Sequence, residues 1–178
     1  MNPARLARFH DCPRYFICPL CHAELNLAGT SLRCPNRHTF DIAKQGYVNL
    51  APAAKQSQFY SKESFANRGR ILNAGYYSHI ASAVLAAVRT HCPANPRPAV
   101  LDAGCGEGFY ARAVQQANPQ ADVLAFDISK DSVQQAARED TSLAVRWFVG
   151  NLADLPLRDA AVDCILDVFS PVHYGEFG

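Results

Sequence analysis

No run of apolar residues in this chain of 178 is long enough to span a bilayer, which argues against a membrane protein. The amino terminus shows no signal peptide, so export is not expected. Charge of either sign is sparse as well: charged residues make up 19% and hydrophobic residues 49%, the composition of a soluble globular chain. The length suits one medium domain with a small one beside it and is too short for two full ones. Cysteines number seven, an odd count that speaks against a framework of disulfides and for a reducing, cytoplasmic setting. Cys92, Cys105 and Cys164 read as free thiols.

The net charge of +1 hides a division. Residues 1–98 carry 12 Lys+Arg against 4 Asp+Glu, whereas residues 99–178 carry 5 against 12. The front half can attract phosphate backbones and the back half cannot. A solvated surface on which charges happen to segregate would show the same numbers.

What the chain does have begins with Cys18, Cys21, Cys34 and His38, a C-x2-C-x12-C-x3-H array. A thiolate pair two residues apart makes a tight knuckle, and a second pair closes a tetrahedron around one Zn²⁺. Four protein ligands leave no open position, so the metal should order the fold and not polarise a substrate. Pro19 and Pro35, each following the first cysteine of a knuckle, fix the backbone where it turns around the metal. Cys12, His10 and His22 lie nearby but break the paired spacing. Two disulfides, or buried free thiols, are the alternative.

Around these ligands, residues 15–50 hold short alternating stretches that read as small hairpins, with Gly46–Leu50 as a last short strand. Residues 51–61 lack periodicity and read as a linker. Helices are expected over 62–74 and 79–91, and the second is stopped by Pro93, Pro96 and Pro98. From there the pattern is strand 99–103, helix 109–117, strand 122–127, helix 130–139, strand 144–149 and strand 162–168. Such alternation predicts an α/β fold, a Rossmann-like parallel sheet flanked by helices. The organisation expected is a metal-binding module over 1–50, a linker and helical segment over 51–98, and a ligand-binding domain from 99 onward.

Ligands of such sheets bind beyond the carboxyl ends of the strands, where Gly104-Cys-Gly106-Glu107-Gly108 lies. Missing side chains let a cofactor approach the backbone there. The spacing differs from the G-x-G-x-x-G that meets a pyrophosphate, and Asp102 just before it disfavours a phosphate. An acid in that place suits a ligand with an ammonium and a sulfonium. Asp127 ends the second strand of the series, where a carboxylate can accept two ribose hydroxyls, and Asn151 follows the third, where an amide can meet an adenine edge. Together these point to S-adenosylmethionine. Plainer roles stay open: Asp127 as a cap of the next helix, and Asp102 as a buried structural acid.

Several stretches carry a resemblance to a known family. Phe16-Ile-Cys-Pro-Leu-Cys-His22, Cys34-Pro-Asn-Arg-His-Thr-Phe-Asp41, Ala43-Lys-Gln-Gly-Tyr-Val-Asn-Leu50, Asn73-Ala-Gly-Tyr-Tyr77, Leu101-Asp-Ala-Gly-Cys-Gly-Glu-Gly-Phe-Tyr110 and Phe169-Ser-Pro171 resemble motifs of the 23S rRNA (guanine-N1)-methyltransferases. That family includes proteins linked to resistance against tylosin-type macrolides. The likeness covers nearly the whole chain. It implies a class I methyltransferase fold with an N-terminal zinc module, Cys18, Cys21, Cys34 and His38 as zinc ligands, and Tyr77, Gly106 and Glu107 at the methyl donor. Tyr77 also has a plain reading, as an aromatic packed under the core. Family members continue for roughly a hundred residues beyond the position of Gly178, so an incomplete sheet is expected here.

The reaction implied is methyl transfer to N1 of a guanine in an RNA hairpin. RNA is expected to meet the zinc module and the basic residues Arg33, Arg37, Lys44, Arg68 and Arg70, with phosphate contacts positioning it. Phe40, Tyr47 and Phe59 could stack on bases, although Phe40 and Tyr47 suit the core of the module better. No catalytic base is evident; Asp167, at the end of the fourth strand, is a candidate proton acceptor, with an ordinary polar strand end as its plain reading. Two other functions fit the residues: a methyltransferase of small molecules or proteins, and a non-catalytic zinc-dependent RNA-binding protein. Whether the chain forms a homodimer is not legible.

Overall fold

The computed structural model describes residues 2–54, 62–92 and 95–177. Phe59 and most of the expected linker lie outside them. The chain opens with two short helices, α1 (Pro3–Ala7) and α2 (Cys12–Tyr15), which sequence periodicity does not reveal because neither completes two turns. Their start signals are local: the Asn2 side chain accepts from Ala4 N at 3.0 Å, and each helix has proline in its first turn. Strands β1 (Asn26–Ala28), β2 (Ser31–Arg33) and β3 (Thr39–Asp41) follow as an antiparallel sheet in the order β1-β2-β3. Leu32 opposite Phe40 forms its buried centre.

The next strand, β4 (Tyr47–Asn49), does not join that small sheet. It runs parallel to β7 (Arg146–Val149), pairing Val48 with Phe148, and so becomes the outer strand of the large one. Between them in sequence come α3 (Lys62–Asn73), α4 (Ser78–His91), β5 (Ala99–Ala103), α5 (Phe109–Ala117), β6 (Asp122–Asp127) and α6 (Lys130–Glu139); β8 (Cys164–Asp167) and α7 (Tyr174–Phe177) follow β7. The large sheet is parallel throughout, ordered β4-β7-β6-β5-β8. The chain steps outward from β5 to β6 and β7, then returns to lay β8 on the other side of β5. The crevice at that reversal is where a ligand belongs.

A parallel sheet buries both faces, and its residues here divide by strict alternation. Val100, Val123, Ala125, Trp147 and Val149 pack with Val88 of α4, Ala111 and Val114 of α5 and Val133 and Ala136 of α6. Ala99, Leu101, Ala103, Leu124, Phe126 and Phe148 point the other way, into a core shared with Phe9, Phe16, Leu25, Leu32 and Phe40. Both crossover helices lie on the first face, and among the described residues no helix links β7 to β8. The N-terminal module therefore takes the place of a helix layer. Phe16 meets Phe148 edge-on with centroids 5.2 Å apart, and Phe148 stacks on Phe126. The segment joining β7 to β8 is stitched to the module by Ile17 N to Pro156 O (3.0 Å) and Arg158 N to Tyr15 O (2.8 Å).

Buried charges lock the same seam. Asp122, at the start of β6, accepts from Tyr15 Oη at 2.7 Å, from Arg97 Nε at 2.7 Å and from Arg146 Nη1 at 2.9 Å. The guanidinium of Arg146 also lies over the Tyr15 ring, 5.0 Å from its centroid. Farther along, Arg8 reaches Asp140 at 3.4 Å, and the indole of Trp147 donates to that same carboxylate at 3.0 Å. Burial alone would push the Asp122 carboxyl up, but Tyr15, Arg146 and Arg97 outweigh it and hold the group below its usual value. A carboxylate held low contributes stability above its unfolded pKa and loses it as pH falls through the folded one. Asp122→Asn should cost about 3 kcal/mol at pH 7, since it strands the buried Arg146. Urea titrations should show the gap between variant and parent closing below about pH 4.

Candidate metal centre and carboxylate-lined cleft

Cys18 and Cys21 sit on a tight turn in which His22 N donates to Cys18 O at 2.8 Å; Cys34 and His38 sit on a second, in which Arg37 N donates to Cys34 O at 3.0 Å. Each turn needs one residue of positive φ, His22 (56°) and Arg37 (67°). The turns face each other, so that Cys18 Sγ and Cys34 Sγ each lie 3.4 Å from His38 Nδ1, and Cys21 Sγ lies 3.7 Å from Cys34 Sγ. All four ligand atoms fall within 4.8 Å of one another. A tetrahedral zinc with Zn–S of about 2.3 Å and Zn–N of about 2.0 Å spaces its ligands roughly 3.5 to 3.8 Å apart, so the set fits that ion through Nδ1 of the imidazole. All seven cysteines are free, which removes the disulfide alternative. Cys12 is buried elsewhere with its thiol on Leu25 O, and neither His10 nor His22 joins the cluster.

The second site opens beyond the carboxyl ends of β5, β6 and β8. A cavity of about 300 Å³ is lined by Gly104, Phe126, Asp127, Ile128, Asn151 and Ser170, among others. Beside it a cavity of about 410 Å³ is bounded by Ile71, Leu72, Tyr77 and Tyr110. Between β5 and α5 the turn uses positive φ at Gly104 (70°) and Gly106 (54°), where a side chain would collide with Ser170 and with Arg68 respectively. The side chains of Ser170 and Arg68 thus lie directly on the turn, over glycines that have none of their own.

Carboxylates gather under this turn. Asp102 is buried, and its Oδ2 has no hydrogen-bond partner. Burial, with the charges of Asp127, Asp167 and Glu107 adding to it, pushes Asp102 up to about 7 against the opposing bond from Ala111 N. Glu107 is 1% exposed with Oε2 unpartnered, and burial raises it despite Arg68 and Arg112. Asp127 is raised by burial too, although it accepts from Gly106 N at 3.0 Å and Ser129 N at 2.8 Å. It therefore braces the turn and the approach to α6 while facing the cavity; the cap of that helix is Ser129, whose hydroxyl accepts from Ser132 N, and not Asp127. A pocket of under-ionised carboxylates with unused acceptors favours a cation.

Of the cofactor residues expected from the sequence, Gly104, Asp127 and Asn151 line the first cavity and Tyr77 the second; Asp102, Gly106 and Glu107 lie in or under the turn without lining either, and Gly108 faces Trp147 and Ala136 on the other side of the sheet. Asn151 spends its Oδ1 on Ala153 N at 3.1 Å. Asp167 lies behind the cavity wall: Ser170 Oγ contacts its carboxylate and also Ala103 O at 3.0 Å, and Asp167 Oδ2 has no partner. Arg33, Arg37, Lys44 and Arg70 are exposed, away from the cleft lining. Arg68 lies at the cleft instead, its Nε on Glu107 Oε1 at 3.1 Å. Sequence reasoning missed Arg68 as a cleft residue, along with Phe65, Ile128 and Leu152. None of these carried a signal of its own: Ile128 follows a strand-ending acid, but a single apolar residue at a surface is ordinary.

Comparison with known proteins agrees with this geometry. Residues 16–58 match the RlmA N-terminal zinc ribbon, and residues 100–177 match a methyltransferase domain. A 23S rRNA (guanine(748)-N(1))-methyltransferase of Streptomyces fradiae is 35% identical over 162 residues, covering 89% of this chain and 56% of that protein. The chain is a relative of the 23S rRNA (guanine-N1)-methyltransferases. A Bacillus subtilis protein provisionally assigned to the same activity is 34% identical over 169 residues, covering 91% of this chain and 58% of its own length. The chain thus spans somewhat over half the length of these curated relatives. A solved structure from Methanococcus maripaludis, provisionally an S-adenosyl-L-methionine-dependent methyltransferase, superposes with a TM-score of 0.50 at 22% identity, covering 62% of this chain and 51% of that one. That likeness shows the fold alone.

The residues present fit the cofactor expected from the sequence. Unpartnered buried oxygens on Asp102 and Glu107 suit an ammonium, and Gly104 lines the cavity without a side chain of its own. Because the folded state holds a proton on Asp102 up to about pH 7 that the unfolded chain releases near pH 4, this group subtracts stability as pH rises through that window. Asp102→Asn should therefore stabilise the unliganded protein at pH 8, by on the order of 1 to 3 kcal/mol, while weakening its affinity for S-adenosylhomocysteine. Thermal melts with and without that ligand measure both effects.

Proposed function

We propose that the chain methylates N1 of a guanine in a 23S rRNA hairpin with S-adenosylmethionine as donor. What carries this reading is the pairing of a Cys3His ribbon and a carboxylate-lined glycine turn within one core, in a chain whose relatives are similar over about nine-tenths of its length. When bound, the donor supplies an activated methyl on a sulfonium. Asp127 and Asn151 would hold its ribose and adenine ends, Asp102 and Glu107 its ammonium, and Tyr77, the N-cap of α4, would close over it. Holding donor and acceptor at near-attack distance can lower the barrier by up to ~7 to 11 kcal/mol.

N1 of guanine is protonated and normally paired, so the base must be unpaired to reach the cleft. Phe169, 75% exposed at a positive φ of 63° and shared by both cavities, offers it an aromatic wall. Ser170 Oγ donates to Asp167 Oδ1, which suits the carboxylate to take the hydroxyl's proton as the hydroxyl takes the one from N1. Asp167→Asn should lower turnover at least tenfold with S-adenosylhomocysteine affinity intact; unchanged turnover removes it from the mechanism.

Cys18, Cys21, Cys34 and His38 hold a structural zinc, and exposed Arg33, Arg37, Lys44 and Arg70 meet RNA phosphate. Such a substrate places the protein in the cytoplasm; among the described residues no single helix is long and apolar enough to cross a membrane. The decisive experiment is primer extension on 23S rRNA incubated with protein and donor, which stops at an N1-methylated guanine. Hairpin affinity should fall steeply as salt is raised, with a slope that lessens when Arg33 and Arg37 are replaced by alanine. Absence of any stop together with salt-independent binding refutes the assignment.

A further inference from the structure

The two cavities of the cleft share only two walls, Arg68 and Phe169. Arg68 is also the one cation among the described residues that line either of them. It projects from α3 beside Gly69, where a Cβ would meet Gln135 Nε2 at 3.2 Å and stand in ordinary contact, 3.6 Å, with the Glu107 side chain, so this part of the helix packs against the glycine turn. There Nη2 comes within 2.8 Å of the point a Cβ on Gly106 would occupy, and Nε bonds Glu107 Oε1 at 3.1 Å. The second oxygen of Glu107 is buried and has no partner. Arg68 itself is 47% exposed, so little packing holds it in place.

An amino-acid ligand end carries two charges, and the carboxylates described above answer only the positive one. A negative end meeting Asp102, Glu107 and Asp127 would be repelled unless a cation stood among them. Resting on the methyl-donor reading, we propose that Arg68 binds the α-carboxylate of the donor's amino-acid end, exchanging Glu107 for that carboxylate while the donor's ammonium takes its place on Glu107. Each charge has a partner before and after the exchange. The resting pair spares Glu107 from standing unpaired in a buried site, a costly state for a carboxylate. Arg68 is then a selector for donors with an intact amino-acid end, and its contribution to RNA contact is secondary.

The test is calorimetry on the full chain with two probes: S-adenosylhomocysteine, which has the amino-acid end, and 5′-methylthioadenosine, which lacks it. Arg68→Ala should weaken S-adenosylhomocysteine about tenfold and leave 5′-methylthioadenosine unchanged, the size expected for a charge-assisted bond at a half-exposed site. Arg68→Lys should recover part of the loss. Equal binding of S-adenosylhomocysteine by parent and Arg68→Ala overturns the proposal, as does an equal loss for both probes, which would report a displaced α3. A variant that loses hairpin RNA affinity and keeps S-adenosylhomocysteine affinity also overturns it, in favour of a phosphate contact. Should the parent bind neither probe, the donor reading itself fails and the proposal falls with it.

Discussion

A parallel sheet cannot leave either face in water, and the order β4-β7-β6-β5-β8 supplies crossover helices to only one of them. The other face is closed by Phe9, Phe16, Leu25, Leu32 and Phe40, side chains held in place by the metal knuckles and their three short strands. Strands of three residues do not order themselves, so the four ligands do for this layer what helix propagation does for the opposite one. The metal is thereby coupled to the catalytic fold through Phe16, Phe148 and Phe126, whose rings make a continuous path from the first knuckle to the end of β6 beside Asp127.

The cleft holds together by a different logic. Its acids are pushed toward neutrality by burial, and its glycine turn is kept open by Asp127 accepting from Gly106 N and by Arg68 lying across the top. Buried oxygens on Asp102 and Glu107 are left without partners in this arrangement. Local stability is given up where binding recovers it, as at many functional sites.

The α/β series was legible to within about two residues because each strand is a short apolar run and each helix has its own punctuation: Gly108 before α5, Ser129 before α6, the prolines after α4. The ligand set was legible because tetrahedral geometry forces paired spacing. Three things were hidden. Helices α1 and α2 are too short for any period to show, although Asn2-Pro3 and Cys12-Pro13 mark them. The partner of β4 could not be read, since Tyr47-Val-Asn would pair equally well with either sheet and only the tertiary arrangement sets Val48 beside Phe148. Arg68 looked like any basic residue on a polar helix face, and its station at the cleft is set by a partner 39 residues away, Glu107, which no local pattern announces.

Trp147, the sole tryptophan of the chain, donates its indole N–H to Asp140, the same carboxylate that Arg8 reaches from the end of α1. Its ring also lies against Gly108, at the mouth of the glycine turn. A single natural fluorophore therefore touches both the clasp of the leading segment and the entrance to α5. Light emitted from this one side chain carries a record of whether the two halves of the molecule are joined.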